Sequence, residues 1–291
     1  MLSNVSKMPG KSISRSAFKC KTGSKLAKVK GSVCFDCYAR KGMYRMPNVV
    51  NKMEEREAFF NAIDFVPRMV ALLQTLRKPE FRWFDSGDVY DIRLADKILA
   101  VMIATPWVKH WLPTRMHKFA KFVPVLAKMD ALPNVVVRLS SDSITGETID
   151  APNSSTIIPT ISHALPSMSV CDAYEREGKC AKCRKCWDKT ISVVAYPAHG
   201  KKMLKQVNQI LAIKKSDKKQ YEKKAKEQNL QTTKNNPRLQ AQMDEMNKEA
   251  NKIKKLVEEG IITKGEAREK AKALRKNDGG RLGTKKNILK T

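Results

Sequence analysis

The sequence predicts an α/β protein with a partial or complete TIM-type barrel, a cysteine-rich metal segment and a basic helical C-terminal arm. Three observations support this prediction: strand-like apolar runs alternate with helix-length segments before residue 170, four cysteines cluster within residues 171–186, and residues 201–291 carry little core-forming pattern. Strands separated by helices of about 10–15 residues favour βαβ units around a parallel sheet. An open doubly wound sheet is the second interpretation, and the pattern alone does not distinguish the two.

The predicted strands and helices follow one another in a regular order. Apolar residues recur at helical spacing over 51–76, and the run NVVVRL at 134–139 is the clearest buried strand. The predicted strands are 81–84, 109–112, 134–139, 156–161, 168–171 and 191–196, and the predicted helices are 51–76, 92–104 and 118–129. We therefore expect a barrel core over 1–170, a metal segment with the last core strand over 171–200, and an arm over 201–291.

The arm is the most basic part of the chain. Residues 201–291 contain 26 Lys and Arg against 11 Asp and Glu, and their one aromatic residue is Tyr221. Helical patterns cover 201–228, 237–259 and 264–276, with breaks predicted at Asn235-Asn236-Pro237 and at Gly260. An arm with so few apolar residues is predicted to be helical or partly disordered.

Charge and hydropathy restrict the partners and the compartment. The formal net charge of +28 favours polyanions, most often nucleic acid, which the arm would bind through the phosphate backbone without reading sequence. Residues 1–19 contain no apolar run typical of a signal peptide, and no stretch of eighteen apolar residues predicts a membrane span. We therefore expect a cytoplasmic chain with no membrane partner. Disulfides are disfavoured there, so clustered cysteines indicate metal ligands or redox groups.

The seven cysteines divide into two groups by their spacing. The three-cysteine group is Cys20, Cys34 and Cys37, and the four-cysteine group is Cys171, Cys180, Cys183 and Cys186. A CxxC spacing lets the backbone turn so that both thiolates face one ion. Four thiolates suit either tetrahedral zinc or a fully ligated iron–sulfur cluster. The charged stretch 175–185 argues against buried, unligated thiols in that group.

Three thiolates leave one coordination position open. They can hold a [4Fe–4S] cluster with one free iron, a catalytic zinc, or a zinc completed by a histidine or aspartate. Each histidine is more typical of a surface or core position than of a ligand, namely His110, His117, His163 and His199.

Seven segments occur in a characteristic order along the first 200 residues. They are Cys20, CFDCYARKGMY (34–44), RWFDSGDVYD (82–91), HWLPTR (110–115), NVVVRLSSD (134–142), CAKCRKCW (180–187) and VAYPAHG (194–200). Together they resemble the phage gene 88 product family, a relative of the radical S-adenosylmethionine (SAM) proteins. The string CFDCYAR itself resembles the cluster loop of radical SAM proteins, and the basic arm lies outside the resemblance.

The resemblance implies a radical-SAM-like barrel in the host cell cytoplasm. Cys20, Cys34 and Cys37 would ligate a [4Fe–4S] cluster whose open iron chelates SAM. Reduction of the cluster by an electron donor would cleave SAM and yield a 5′-deoxyadenosyl radical. The four-cysteine group would hold a second [4Fe–4S] cluster or zinc. Candidate SAM-binding residues are Tyr38, Ser86, Gly87, Asp88, Arg115, Arg138 and Ser140.

The sequence departs from the usual radical SAM loop in two respects. Thirteen residues separate Cys20 from Cys34, where the usual loop has three, and Asp36 stands where an aromatic residue is usual. Ordinary structural interpretations also exist for two candidates. The Ser86-Gly87-Asp88 segment is a typical strand-to-helix turn with Asp88 as a helix cap, and Arg115 could pair with a structural carboxylate.

Two functions follow from these patterns. The first is a radical-SAM-like enzyme that modifies a nucleic acid, a nucleotide or a protein, with the arm holding it on a polyanion. The second is a non-catalytic phage protein in which zinc or iron–sulfur centres stabilise a nucleic-acid-binding fold. A cysteine nucleophile activated by a histidine is a third interpretation, because any of the seven thiols could take that role.

Overall fold

The computed structural model of the chain describes residues 1–234 and 237–277, and eight strands among these residues form one sheet. About half of the chain is helical. The strands are β1 (Ser3–Asn4), β2 (Lys11–Ile13), β3 (Glu80–Trp83), β4 (Lys109–Thr114), β5 (Val135–Ser140), β6 (Ser154–Ile158), β7 (Met168–Val170) and β8 (Val193–Pro197). The helices are α1 (Lys21–Leu26), α2 (Pro47–Asn61), α3 (Phe65–Gln74), α4 (Ile92–Ala104), α5 (Val123–Asp130), α6 (Lys201–Lys234), α7 (Pro237–Glu258) and α8 (Lys264–Asn277).

The sheet is mixed in direction only at one edge. Its strand order is β1-β2-β3-β4-β5-β6-β8-β7, and every neighbouring pair is parallel except β1 with β2. The prediction of an α/β fold is therefore confirmed. Within the described residues β1 and β7 are free edges, so the sheet is open and a closed TIM-type barrel is not confirmed.

The two faces of the sheet are covered by different parts of the chain. Ile13, Trp83, Leu112 and Val137 lie on one face and pack against α2–α5 in the main apolar cluster. Burial of each such side chain contributes about 1.5–3 kcal/mol relative to exposure. The opposite face, which we call the inner face, is covered by the segment between β7 and β8, where Trp187 packs 5.2 Å from the ring of Trp111.

The predicted helix over 51–76 is wrong in one respect, because it is two helices. The chain leaves α2 at Ala62, which has an extended conformation, and α3 begins at Phe65. Pro67 explains the interruption, since its ring would clash with the carbonyl of Ile63 in a continuous helix and it donates no hydrogen bond. The predicted helix 118–129 is also shorter, because two short 3-10 turns precede α5.

The helical prediction for the arm is confirmed over most of its length. The structure places helices at α6, α7 and α8, close to the predicted bounds, and Thr263 and Glu266 cap α8 reciprocally. Positions 235–236, where a break is predicted, and residues 278–291 lie outside the described residues. Contacts divide the chain into two units, Met1–Ile213 and the residues from Lys214 onward. None of the described helices has the length and apolar composition that a membrane crossing requires.

Candidate metal centres at the carboxyl edge and on the inner face

The three-cysteine group lies where the parallel strands end. Cys20 follows β2 after a short turn and caps α1, and its Sγ accepts a hydrogen bond from the backbone nitrogen of Gly23 at 3.3 Å. Parallel strands place their carboxyl ends at one edge, and residues that follow different strands meet there. Cys20 therefore stands beside the segments that follow β3, β4 and β5.

The loop that carries Cys34 and Cys37 is fixed to the end of β5. The backbone nitrogen of Val33 donates to the carbonyl of Asp142 at 2.8 Å, and Ser32 forms an isolated β-bridge with Ser143. The backbone nitrogen of Cys37 donates to the carbonyl of Cys34 at 3.2 Å, which closes the CxxC turn. These bonds bring a loop that begins far from β5 in sequence onto the edge where Cys20 lies.

Gly23 shows that two of the sulfurs converge. A β-carbon added at Gly23 would lie 2.9 Å from the Sγ of Cys20 and 3.9 Å from the Sγ of Cys34. Both thiols therefore face the same point on α1. The absence of a side chain at Gly23 keeps the space between them free.

Charged groups from three strand ends surround these thiols. Burial, followed by the charge of Asp88, raises the pKa of Cys20 to about 11. Burial also raises the pKa of Cys34, and the positive charge of Arg115 opposes that shift. Both thiols are consequently protonated at neutral pH unless a cation replaces their protons.

The segment Ser86-Gly87-Asp88 is fixed by protein contacts. The Ser86 hydroxyl donates to the carbonyl of Arg15 at 2.8 Å, and the backbone nitrogen of Arg15 donates to the carbonyl of Ser86 at 2.9 Å. Gly87 has a φ of +77°, and a β-carbon there would lie 2.9 Å from the Arg15 carbonyl oxygen. Asp88 is buried, and its carboxylate accepts from Thr114 and from the backbone nitrogens of Val89 and Arg115.

Arg115 follows β4 and faces the end of β5. Its Nη2 donates to the carbonyl of Ser141 at 2.9 Å, and its Nε lies 3.3 Å from the Asp142 carboxylate, which also pairs with Lys118. Sequence reasoning identified Arg115 but not Asp142. The position of Asp142 could have indicated its role, because it is the last residue of the NVVVRLSSD segment, three positions beyond the end of the predicted strand 134–139.

The remaining SAM-binding candidates are distributed over two places. Tyr38 and Ser140 lie near the carboxyl edge: the Tyr38 hydroxyl donates to the carbonyl of Asp85, and Ser140 ends β5. Arg138 is fully buried and is not brought to the three cysteines. Its guanidinium donates to four backbone carbonyls, those of Ser154, Lys185, Asp188 and Ile191. Arg138 thus connects β5 with the four-cysteine segment.

The four-cysteine group encloses a small cavity on the inner face. The four thiols line a cavity of about 20 Å³ together with Arg176, Lys185, Trp187 and Val194. That volume accommodates about one water-sized particle. Ala181 has a φ of +46°, and this left-handed residue turns the chain within the Cys180–Cys183 pair. Outside the cavity the backbone nitrogen of Cys180 donates to the Lys7 carbonyl at 2.7 Å.

Repulsion between neighbouring ionised sulfurs adds to the effect of burial on the pKa values of Cys180 and Cys186. Burial first, and then the neighbouring Cys171 and Cys183, raise the pKa of Cys180. Burial raises the pKa of Cys186 to about 11, although a contact with the Tyr196 hydroxyl at 3.3 Å opposes the shift. A bound cation would relieve this repulsion.

The donor atoms fit metal centres in number and chemistry. All seven cysteines are free thiols. As they stand, the described histidine, cysteine, aspartate and glutamate side chains form no group of three or more with the arrangement of metal ligands. The thiols of each group would therefore have to move before that group could bind a metal. The soft donors and their convergence suit zinc or an iron–sulfur cluster.

Comparison with known proteins identifies one family. A family model described as Gene product 88 matches residues 7–189, which include all seven cysteines. The match confirms the resemblance to the phage gene 88 products. Neither the curated proteins nor the solved structures contain a match to the chain.

Proposed function

The chain belongs to the gene product 88 family, and we propose that it is a radical-SAM-like iron–sulfur protein of the host cell cytoplasm. The observation that supports the proposal is that the Cys20 and Cys34 sulfurs face the same point on α1 at the carboxyl edge of a parallel sheet, with Cys37 in the turn that Cys34 begins. In this proposal the open sheet is a partial radical-SAM-like barrel. Its substrate is a nucleic acid, a nucleotide or a protein.

The residues around the three-cysteine group have distinct tasks. The three thiols would hold a [4Fe–4S] cluster and leave one iron without a protein ligand. When SAM is bound, the cluster would supply one electron from an external donor. Asp88 and its three hydrogen bonds fix the ends of β3 and β4 around the thiols. Gly23 keeps the space between two of the sulfurs open.

Candidate SAM contacts follow from the groups that still face the carboxyl edge. Arg115 and Tyr38 lie there and donate to the carbonyls of Ser141 and Asp85, so SAM would compete with these bonds. Ser86, Gly87 and Ser140 line the same edge. The buried Asp88 carboxylate already accepts from three protein donors, and Arg138 donates to four carbonyls away from the three cysteines, so neither offers a free group.

For the four-cysteine group we favour a single zinc ion over a second cluster. The cavity among the four thiols has room for about one water-sized particle, and four thiolates provide a closed tetrahedral site. This centre would be structural, because it joins the segment between β7 and β8 to the inner face.

Metal analysis after anaerobic purification tests both assignments. We expect about four irons, about four sulfides and one zinc per chain, with visible absorption that changes when SAM is added. A colourless protein with two zinc ions and no iron would contradict the enzyme proposal. It would favour the alternative, a non-catalytic zinc protein that binds nucleic acid.

Two matched variants separate the centres. Cys34→Ala should remove the iron and sulfide and retain the zinc, whereas Cys183→Ala should remove the zinc and retain most of the iron. Loss of all metal in either variant, with the fold intact by circular dichroism, would show that the seven cysteines form one interdependent site.

The basic arm supports a second activity, binding to the backbone of a nucleic acid. Lys215, Lys218 and Lys219 are exposed at helical spacing on α6, and the arm has a net surplus of positive charge. Such a surface adds affinity without sequence specificity, which suits a tether for an enzyme on a polyanion.

A further inference from the structure

A row of three polar side chains crosses the inner face of the sheet. Ser12 on β2 pairs in register with Arg82 on β3, and Arg82 pairs with Trp111 on β4. Residues that pair in register on neighbouring strands have their side chains on the same face. Ile13 and Trp83 belong to the helix-covered face, so the row of Ser12, Arg82 and Trp111 lies on the inner face.

Each member of the row has a buried polar atom without a hydrogen-bond partner. These atoms are the hydroxyl of Ser12, the Nε of Arg82 and the Nε1 of Trp111. Ser12 is fully buried and Trp111 is 5% exposed. A buried donor left unsatisfied costs about 1–3 kcal/mol, and most such groups in folded proteins have a partner.

The donor character of these three atoms determines which chemical group can bind to them. The indole nitrogen of tryptophan and the guanidinium of arginine can only donate, and the serine hydroxyl can donate as well. Three adjacent donors require a group with several acceptor atoms.

The row also has an uncompensated positive charge. Among the residues that the structure describes, Arg82 forms no ion pair with a carboxylate. Its guanidinium lies 4.7 Å from the centre of the Trp111 ring, and its Nη1 lies 3.8 Å from the sulfur of Met8. The adjacent acidic residue, Glu80, is paired with Arg184 instead.

The row lies beside the four-cysteine segment. Trp111 packs against Trp187, which directly follows Cys186, and Arg82 is close enough to the Cys186 thiol for its charge to act on it. The charge of Arg82 also reaches the hydroxyl of Tyr38, which directly follows Cys37. A molecule on this row would therefore be adjacent to the four-cysteine segment.

We propose that Ser12, Arg82 and Trp111 form an anion-binding site on the inner face, which takes a small molecule through its phosphate or carboxylate group. The site goes beyond the proposed function, because the three residues are not metal ligands and need no metal to bind an anion. The oxygens of such an anionic group are acceptors, and an acceptor is the partner that these donors lack.

Calorimetric titration of the full-length, metal-containing protein tests the site. The probes are inorganic phosphate and adenosine monophosphate for the phosphate class, and acetate and succinate for the carboxylate class, at constant ionic strength. We expect saturable binding of one class. Arg82→Gln should weaken it at least tenfold, and Trp111→Phe, which keeps the ring but removes the donor, at least threefold.

A matched control accounts for the general attraction of a basic protein for anions. Arg93→Gln removes the same charge from an exposed position on α4 and should leave the affinity unchanged. If Arg82→Gln does not fold, the anion site is tested with Ser12→Ala and Trp111→Phe. Unchanged anion affinity in both variants would overturn the proposal.

Further outcomes distinguish this site from the metal proposal. No saturable binding of any probe by the wild type, or equal binding by Arg82→Gln, would overturn the anion site. Metal content is measured on each sample. A wild type without metal that binds an anion through Arg82 would overturn the metal proposal and support the anion site.

Discussion

The carboxylate of Asp88 accepts a hydrogen bond from the backbone nitrogen of Arg115, 2.9 Å away, and so joins the turn after β3 to the end of β4. The Thr114 hydroxyl and the backbone nitrogen of Val89 donate to the same buried carboxylate, each at 2.8 Å. Because Asp88 and Arg115 both act on the Cys20 thiol, this connection fixes the surroundings of the three-cysteine group.

Replacement of Asp88 should test that connection directly. Asp88→Asn keeps the size of the side chain but turns an amide NH2 toward one of the three donors, so we expect a loss of about 2 kcal/mol in the free energy of unfolding. Urea denaturation measures the loss. The exposed Asp96→Asn on α4 is the control, and an equal effect of both variants would contradict the role of Asp88.

Gly23→Ala should separate metal binding from folding. Alanine favours a helix by about 1 kcal/mol over glycine, so the fold should not weaken, but the new methyl group would displace the Cys20 sulfur. We expect the iron content to fall while the melting temperature stays the same or rises. Gly265→Ala on α8 meets no close neighbour and should leave the metal content unchanged. Full iron content in Gly23→Ala would contradict the convergence of the thiols.

Arg138→Lys should loosen the four-cysteine segment. Lysine keeps the charge but cannot reach four carbonyls with a planar fork, and we expect a cost of about 3 kcal/mol in unfolding free energy. Zinc should dissociate faster in the presence of a chelator, while iron at the three-cysteine group is retained. Equal rates of zinc dissociation for Arg138→Lys and the wild type would contradict the role of Arg138 in holding the four-cysteine segment on β5.

The buried environment of His110 predicts that the folded protein loses stability in acid. Its Nδ1 accepts from the Trp83 indole at 3.2 Å, so its Nε2 carries the proton toward the Thr105 hydroxyl at 2.9 Å. Burial lowers its pKa from 6.5 to about 3. The neutral ring stabilises the fold fully above about pH 6.5, and this contribution is lost as the pH falls toward 3.

The pH dependence can be assigned by substitution. Between pH 6.5 and 5, the His110 contribution should fall by about 2 kcal/mol, measured by urea unfolding at each pH. His110→Gln keeps a donor and an acceptor but takes up no proton, so its stability should depend less on pH over this interval. His163→Gln, at an exposed position, should retain the wild-type slope. Equal slopes in all three proteins would show that His110 is not responsible.

The salt dependence of nucleic-acid binding should show whether the arm contacts phosphate groups. Replacement of Lys215, Lys218 and Lys219 by glutamine removes three exposed charges from one face of α6. For binding to duplex DNA, the slope of log Kobs against log salt should decrease by up to about 2.7, since each lost phosphate contact contributes about 0.9. The corresponding Lys→Arg variant should bind like the wild type. An unchanged slope in the glutamine variant would show that this face of α6 does not contact the DNA phosphates.

Much of the fold could be predicted where local signals are strong. The predicted helix 92–104 agrees with α4, because Asp91 caps its first turn and apolar residues recur on one side. The strands from β3 onward also lie near their predicted positions. The short β2 and α1 were missed, since three residues of strand and a helix with glycine at its centre carry almost no local pattern.

The sequence indicated the cysteine groups and several of their neighbours, including Asp88 and Arg115. The cysteine spacing is local, so the sequence indicates two groups; in the structure the Cys20 and Cys34 sulfurs face one point, and the four cysteines of the other group line one cavity. Gly23, Asp142 and Arg82 acquire their importance from residues on other strands. No periodicity or motif reports such contacts, because they depend on strand order and register, which the sequence did not determine here.

The bond between Gln206 and Asp36 has a consequence for the order of events during synthesis. The side chain of Gln206 donates to Asp36 at 2.6 Å and accepts from the backbone of Gly31; Asp36 lies between Cys34 and Cys37, and Gly31 precedes them. A ribosome makes that loop long before it makes Gln206 or Asp142, and Cys180 is bonded to Lys7 across a similar interval. Neither cysteine group can therefore reach its final geometry on a short nascent chain. The metals that we propose would therefore be bound only after synthesis has passed Gln206 and the fold has formed around both groups.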